Sequence, residues 1–134
     1  MVRQSRLEQI ESPEFLDSLY AILADSTRRS LLRYLTSHPK PVTIDRLASE
    51  LAAIEHGIPV ETVTSDQRRE IALRLQHVDV PALDDAGVVS WSRETQQIEH
   101  TPLWETVQTT MPALGELLES SLIDPSGATG KDAS

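Results

Sequence analysis

Apolar positions recur at three- and four-residue steps through most of the chain, the periodicity of amphipathic helices. Phe15, Leu16, Leu19, Tyr20 and Leu23 form the first run. Ser12-Pro13-Glu14 opens it with a serine cap, a proline at the first helical position and an acid in the first turn. This helix is predicted to end near Ala24. Asp25 or Ser26 caps a second helix with Leu31, Leu32 and Leu35 on its core side; Pro39 and Pro41 end it and force an extended connection. Val42 is placed to add a short strand bridge. Thr43 caps a third helix, with Asp45 in its first turn and Ile44, Leu47, Ala48 and Leu51 as its stripe, and the helix stops before Gly57.

Residues 55–64 read as a loop, longer than the tight turn of a helix-turn-helix. Thr64 or Ser65 then caps a fourth helix starting at Asp66, with Ile71, Leu75 and Val78 sharing its core face. Leu73 and Val80 lie nearly opposite that face. Pro81 is expected to kink this helix, Leu83 carries the stripe onward, and Gly87 stops it. Val88–Arg93 and Gln97–Thr101 read as two strands of a hairpin around Glu94-Thr95-Gln96. Pro102 opens a C-terminal helical stretch with Trp104, Val107, Met111, Leu114, Leu118 and Leu122 in register, interrupted at Pro112. The expected fold class is mainly α with a small β-hairpin: helices one to four, the hairpin, and a C-terminal helix. Residues 1–11 form an N-terminal arm, 12–124 a single domain, and the polar Pro/Gly/Ser-rich 125–134 a disordered tail.

Composition narrows the functional classes. The length of 134 residues suits one domain, and the absence of cysteine excludes disulfides and thiolate metal sites. No stretch approaches the ~20 apolar residues of a membrane span, and the polar start of the chain lacks a signal-peptide apolar region; a cytoplasmic protein is expected. Acids outnumber bases 21 to 12, for a net charge of −9, and only Lys40 and Lys131 are lysines. Excess carboxylate with scarce lysine suits a high-salt cytoplasm such as that of a halophilic archaeon, where salt screens mutual repulsion. The charge is uneven: residues 1–65 carry −2, residues 66–80 are neutral, and residues 81–134 carry −7. The acid is therefore concentrated away from the fourth helix.

Two separated segments carry a family resemblance: Leu23-Ala24-Asp25-Ser26-Thr27-Arg28-Arg29, continuing to Leu35, and Leu83-Asp84-Asp85-Ala86-Gly87-Val88-Val89-Ser90-Trp91. With Leu47-Ala48-Ser49-Glu50-Leu51 and the order of elements, they resemble the winged helix-turn-helix of ArsR-like transcriptional regulators over about Leu19–Thr101. Leu75-Gln76-His77-Val78-Asp79-Val80-Pro81-Ala82-Leu83, with its proline before the last core leucine, is similar to the small haloarchaeal winged-helix domains. The resemblance implies that helix four enters a DNA major groove and that the hairpin is a wing touching the adjacent backbone. Asp79 departs from that pattern, since an aspartate facing a phosphate repels it.

The candidate contacts follow from donor chemistry. Arg68, Arg69 and Arg74 are placed to hold phosphate or guanine through two hydrogen bonds, or else form a solvated face paired with Asp66 and Glu70. Ser65 stands at the helix start, where unpaired N–H groups favour phosphate. Gln76 and His77 are base readers or solvent-facing polar residues, and Arg93 with Gln96 and Gln97 is a backbone contact or an exposed hairpin tip. Arg28, Arg29 and Arg33 are expected to be structural, paired with Asp25 and nearby carboxylates. His38, His56, His77 and His100 are scattered without ligand spacing, and no Gly-rich phosphate loop or nucleophile arrangement exists. No metal, no cofactor and no catalytic activity are therefore expected. Phe15, Leu19, Trp104, Val107, Met111, Leu114 and Leu118 are expected to form a homodimer interface, matching a two-fold operator. The leading expectation is a sequence-specific regulator bound to double-stranded DNA. The alternative is a protein-interaction module on the same fold, and the sequence names no small-molecule effector.

Overall fold

Side-chain caps set the starts of five α-helices among residues 12–113, the residues that the computed structural model describes. Helix α1 (Pro13–Leu23) begins where Ser12 accepts a hydrogen bond from the Phe15 N–H. Helix α2 (Ser26–Ser37) begins at Asp25, whose Oδ1 accepts from the Thr27 and Arg28 N–H groups. Thr43 caps α3 (Ile44–His56), and Thr64 caps α4 (Ser65–Arg74) through a reciprocal box in which the Gln67 side chain accepts from the Thr64 N–H. Thr101 caps α6 (Pro102–Thr110), and its hydroxyl also donates to the Gly87 carbonyl at 2.6 Å. Each cap satisfies an N–H that a helix start leaves without an intrahelical partner. Helix α3 runs two residues into the segment expected to be loop, ending on Gly57 in the left-handed conformation that glycine adopts without strain. A 3-10 turn at Val60–Thr62 organises the rest of that connection.

The largest departure from regular periodicity lies between α4 and α5 (Val80–Asp85). Leu75–Asp79 form a π turn, in which the Val80 N–H reaches back five residues to the Leu75 carbonyl. Proline lacks an N–H and its ring collides with the carbonyl four residues earlier. The extra residue in the π turn relieves that collision just before Pro81, and the helical path continues through it. The same residue re-phases the helix. Val78, expected on the core face with Ile71 and Leu75, is 49% exposed, whereas Val80, expected on the opposite side, is fully buried. Asp79 also turns inward and has no exposed surface, so its expected conflict with an external phosphate does not arise.

Three short antiparallel strands complete the domain: β1 (Val42–Thr43), β2 (Val89–Ser92) and β3 (Gln97–His100), in the order β1-β3-β2. Val42 lies opposite Ile98, and Trp91 faces Ile98 from the other side. The hairpin turns at 93–96, with Gln96 in a left-handed conformation and its side-chain amide donating to the Arg93 carbonyl. One apolar core unites Leu19, Leu31, Leu32, Leu35, Leu47, Leu75, Leu83, Val88, Ile98 and Trp104. The Trp104 indole N–H donates to Thr36 Oγ1 at 3.0 Å, and that hydroxyl donates to the Leu32 carbonyl at 2.8 Å, which ties α6 to α2. Helix α6 ends at Thr110, two residues before Pro112, as the residue preceding a proline disfavours helix. Among the described residues no helix is long and apolar enough to cross a membrane.

Candidate nucleic-acid interface

The position of α4 is fixed by a closed circuit of charges. Asp79 Oδ1 accepts from Arg28 Nε at 2.9 Å, and its Oδ2 stands 3.2 Å from Arg74 Nε in an ion pair without hydrogen-bond alignment. The outer nitrogen Nη2 of Arg74 donates to Asp25 Oδ2 at 2.7 Å, and Asp25 Oδ1 holds the Arg28 N–H. Two arginines and two aspartates thereby join the α1–α2 junction to the α4–π segment, with their charges balanced. A buried carboxylate requires such pairing. Arg29 lies outside the circuit and donates to the Leu23 carbonyl at 2.6 Å, closing the end of α1. The expected partners therefore change. Asp25 is paired with Arg74 rather than with the side chains of the α2 arginines, and Arg74 is occupied internally rather than presented on a free face.

The burial of Asp79 and the engagement of Arg74, whose side chain stays 45% exposed, leave a different set free on the outside. Ser65 and Arg69 are exposed on α4, Arg68 is half-buried, and neither Arg68 nor Arg69 forms an ion pair among the described residues. The alternative reading of these two arginines, a face paired with Asp66 and Glu70, finds no such ion pair among the described residues. His77 is exposed and Gln76 half-buried. Across from them stands the hairpin, where the Arg93 guanidinium lies 5.0 Å from the centre of the Trp91 ring, a cation–π arrangement that holds it over the sheet. Gln76, His77, Pro81, Trp91, Arg93 and Gln96 together line one open groove of about 330 Å³. Four of these six were nominated from sequence. Trp91 and Pro81 were not nominated, because an indole in a strand and a proline in a helix carry no binding signal until the hairpin folds against the helix.

The groove is polar and locally mixed in charge. Arg93 is the arginine that lines it, and Arg68 and Arg69 stand earlier on α4; Asp66 and Glu70 on α4, Asp84 and Asp85 at the end of α5, and Glu94 and Glu99 on the hairpin are exposed carboxylates nearby in sequence. Among the described residues no three His, Asp or Glu side chains converge to hold a metal ion. The residues nominated for dimerisation are placed differently from expectation. Phe15, Leu19, Trp104 and Val107 are buried in the core of this chain itself, and Met111 packs partly against it. Their apolarity is already accounted for by intramolecular burial. Leu114 and Leu118, with the C-terminal continuation to Leu122, the arm 1–11 and the tail 125–134, lie outside the described residues.

Residues 20–99 match the family model described as a domain of unknown function (DUF7344). No curated protein and no solved structure matches the chain.

Proposed function

The chain belongs to the DUF7344 domain family, and from its own surface we propose that it is a sequence-specific DNA-binding regulator of winged helix-turn-helix type. The observation that carries this reading is the groove shared by the helical path and the hairpin, where Gln76 and His77 stand on one side and Arg93 is held over Trp91 on the other; Arg68 and Arg69, earlier on the same helix, form no ion pair among the described residues. In this reading α4 lies in the major groove, where an α-helix fits between the strands. The unpaired N–H groups at its start, beside Ser65, meet a phosphate. Gln76 offers the paired donor and acceptor that suit adenine, and the hairpin spans to the neighbouring backbone as a wing. The order β1-β3-β2, with the first strand lying between α2 and α3, supports the winged-helix description.

Electrostatics supply little of the affinity in this reading. A net charge of −9 opposes approach to DNA, and strong salt weakens the counterion release that drives phosphate binding. The same salt screens the opposing carboxylates. Base contacts and shape then carry the specificity. The rival reading, a protein-interaction module on the same scaffold, draws on that net charge and on the exposed Leu73.

Sequencing the genomic DNA retained by the purified full chain in molar KCl separates the two. Arg69 and Arg93 are the residues to exchange for glutamate, since Arg74 belongs to the charge circuit and its loss disturbs the fold. Enrichment of a short motif, lost in the double variant while its circular dichroism is unchanged, is the expected result; two-fold symmetry in that motif would mark a homodimer. No enrichment by a folded protein at any salt concentration refutes the DNA reading.

A further inference from the structure

Two apolar side chains stand where the proposed DNA face is otherwise polar. Leu73 is 52% exposed and Val78 49% exposed, although every other leucine or valine from Ser65 to Val89 is buried. Leu73 lies one turn after the unpaired Arg69 and one turn before His77, which lines the groove. Val78 is outside because of the π turn; a regular helix would have drawn it toward Ile71 and Leu75. The chain thus spends a backbone irregularity that buries Asp79 and presents a valine in its place.

We infer that Leu73 and Val78 are specificity residues that contact thymine 5-methyl groups, so that the site this protein selects contains thymines at fixed positions under α4. This rests on the DNA reading above. Thymine is the one base that presents a methyl group in the major groove, and apolar side chains are its natural contacts. The pair fits point contacts better than a protein partner. A stable interface buries ~800 Å² on each side with an apolar centre. Here two half-exposed side chains are separated along the helix by Arg74, Gln76 and His77, which break any continuous patch. Apolar contacts are also not screened by salt, which suits a surface whose cations are few.

The test compares two libraries of random-sequence duplexes, one built with thymine and one with uracil in every thymine position. Uracil keeps each hydrogen-bonding group and lacks only the methyl. The full chain should enrich a motif from the first library. Uracil placed singly into that motif should weaken binding at one or two positions by about fourfold each, the factor equivalent to about 0.8 kcal/mol per buried CH₂. Leu73→Ala should erase the thymine preference at one position and Val78→Ala at another, with unchanged thermal stability because both sites are exposed. Binding that is indifferent to the methyl at every position overturns this inference and leaves the DNA reading standing. Retention of neither library overturns both. Loss of self-association in Leu73→Ala, measured by sedimentation, without any change in thymine preference assigns the leucine to a protein contact instead.

Discussion

Replacing Asp79 by alanine tests the account of how α4 is held. The carboxylate has no exposed surface and meets two arginines of unequal burial. The Arg28 side chain is only 20% exposed, and its 2.9 Å bond falls in the range of hydrogen bonds to charged groups, about 1.5–3 kcal/mol. The Arg74 side chain is 45% exposed at 3.2 Å, so solvent screening reduces its share to about 0.2–1 kcal/mol. Together the loss is about 2–4 kcal/mol, which in a domain of this size lowers the melting temperature by on the order of 10–20 °C. Urea denaturation followed by far-ultraviolet circular dichroism reads the same quantity directly. A double-mutant cycle with Arg28→Ala should give a coupling of about 1–3 kcal/mol, as expected for residues in one network. Molar KCl should remove little of it, because buried pairs are screened far less than exposed ones. Asp84→Ala, at an exposed position, is the control and should stay within about 0.5 kcal/mol of the parent. A parent-like Asp79→Ala, or strict additivity with Arg28→Ala, refutes the circuit as the device that seats the helix.

Trp104→Phe removes the indole donor to Thr36 and leaves a gap beneath α6; a loss of about 1–3 kcal/mol in urea denaturation is expected, and a neutral result would show that α6 is not anchored through that bond. Gly57→Ala should cost about 1 kcal/mol from left-handed backbone strain alone, because no atom lies within 4 Å of the added Cβ; a melt unchanged from the parent contradicts the αL ending of α3. Thr64→Ala breaks the capping box and should destabilise by about 1 kcal/mol, with faster amide exchange confined to the first turn of α4. For DNA binding, the three arginines proposed to meet phosphate, Arg68, Arg69 and Arg93, set the salt dependence: the slope of log affinity against log salt should be no steeper than roughly −2.7 per chain. A much steeper slope would mean that cations beyond Arg68, Arg69 and Arg93 meet phosphate.

Four helix starts were legible because a cap is a local event: Ser12, Asp25, Thr43 and Thr64 each bond an N–H two or three residues on; the start at Pro102 was legible from the proline, not from its cap Thr101. The π turn was not, because periodicity assumes a constant pitch. A single added residue reversed the inside–outside assignment of Val78 and Val80 and moved Asp79 from a supposed phosphate-facing position into the interior. The charge circuit was hidden for a related reason. Arg74 and Asp79 are five apart, a separation a regular helix does not bring together, and their other partners lie far away in sequence. The clustering of Gln76, His77, Arg93 and Gln96 around one groove followed from assigning them to the fourth helix and the hairpin. The apolar residues nominated for a dimer illustrate the opposite limit: a stripe records that a face is covered, and Trp104 and Leu19 are covered by their own domain.

The two tryptophans divide the optical properties of this protein between them. Trp104 is enclosed by the core and hydrogen-bonded to Thr36, so its emission is set by whether the domain is folded. Trp91 is half-exposed at the groove beneath the Arg93 guanidinium, so its emission is set by what enters that groove. With no third indole in the sequence, Trp104→Phe turns the intrinsic fluorescence into a signal from the groove alone. Occupancy and folding are then separable in one cuvette, without any attached dye.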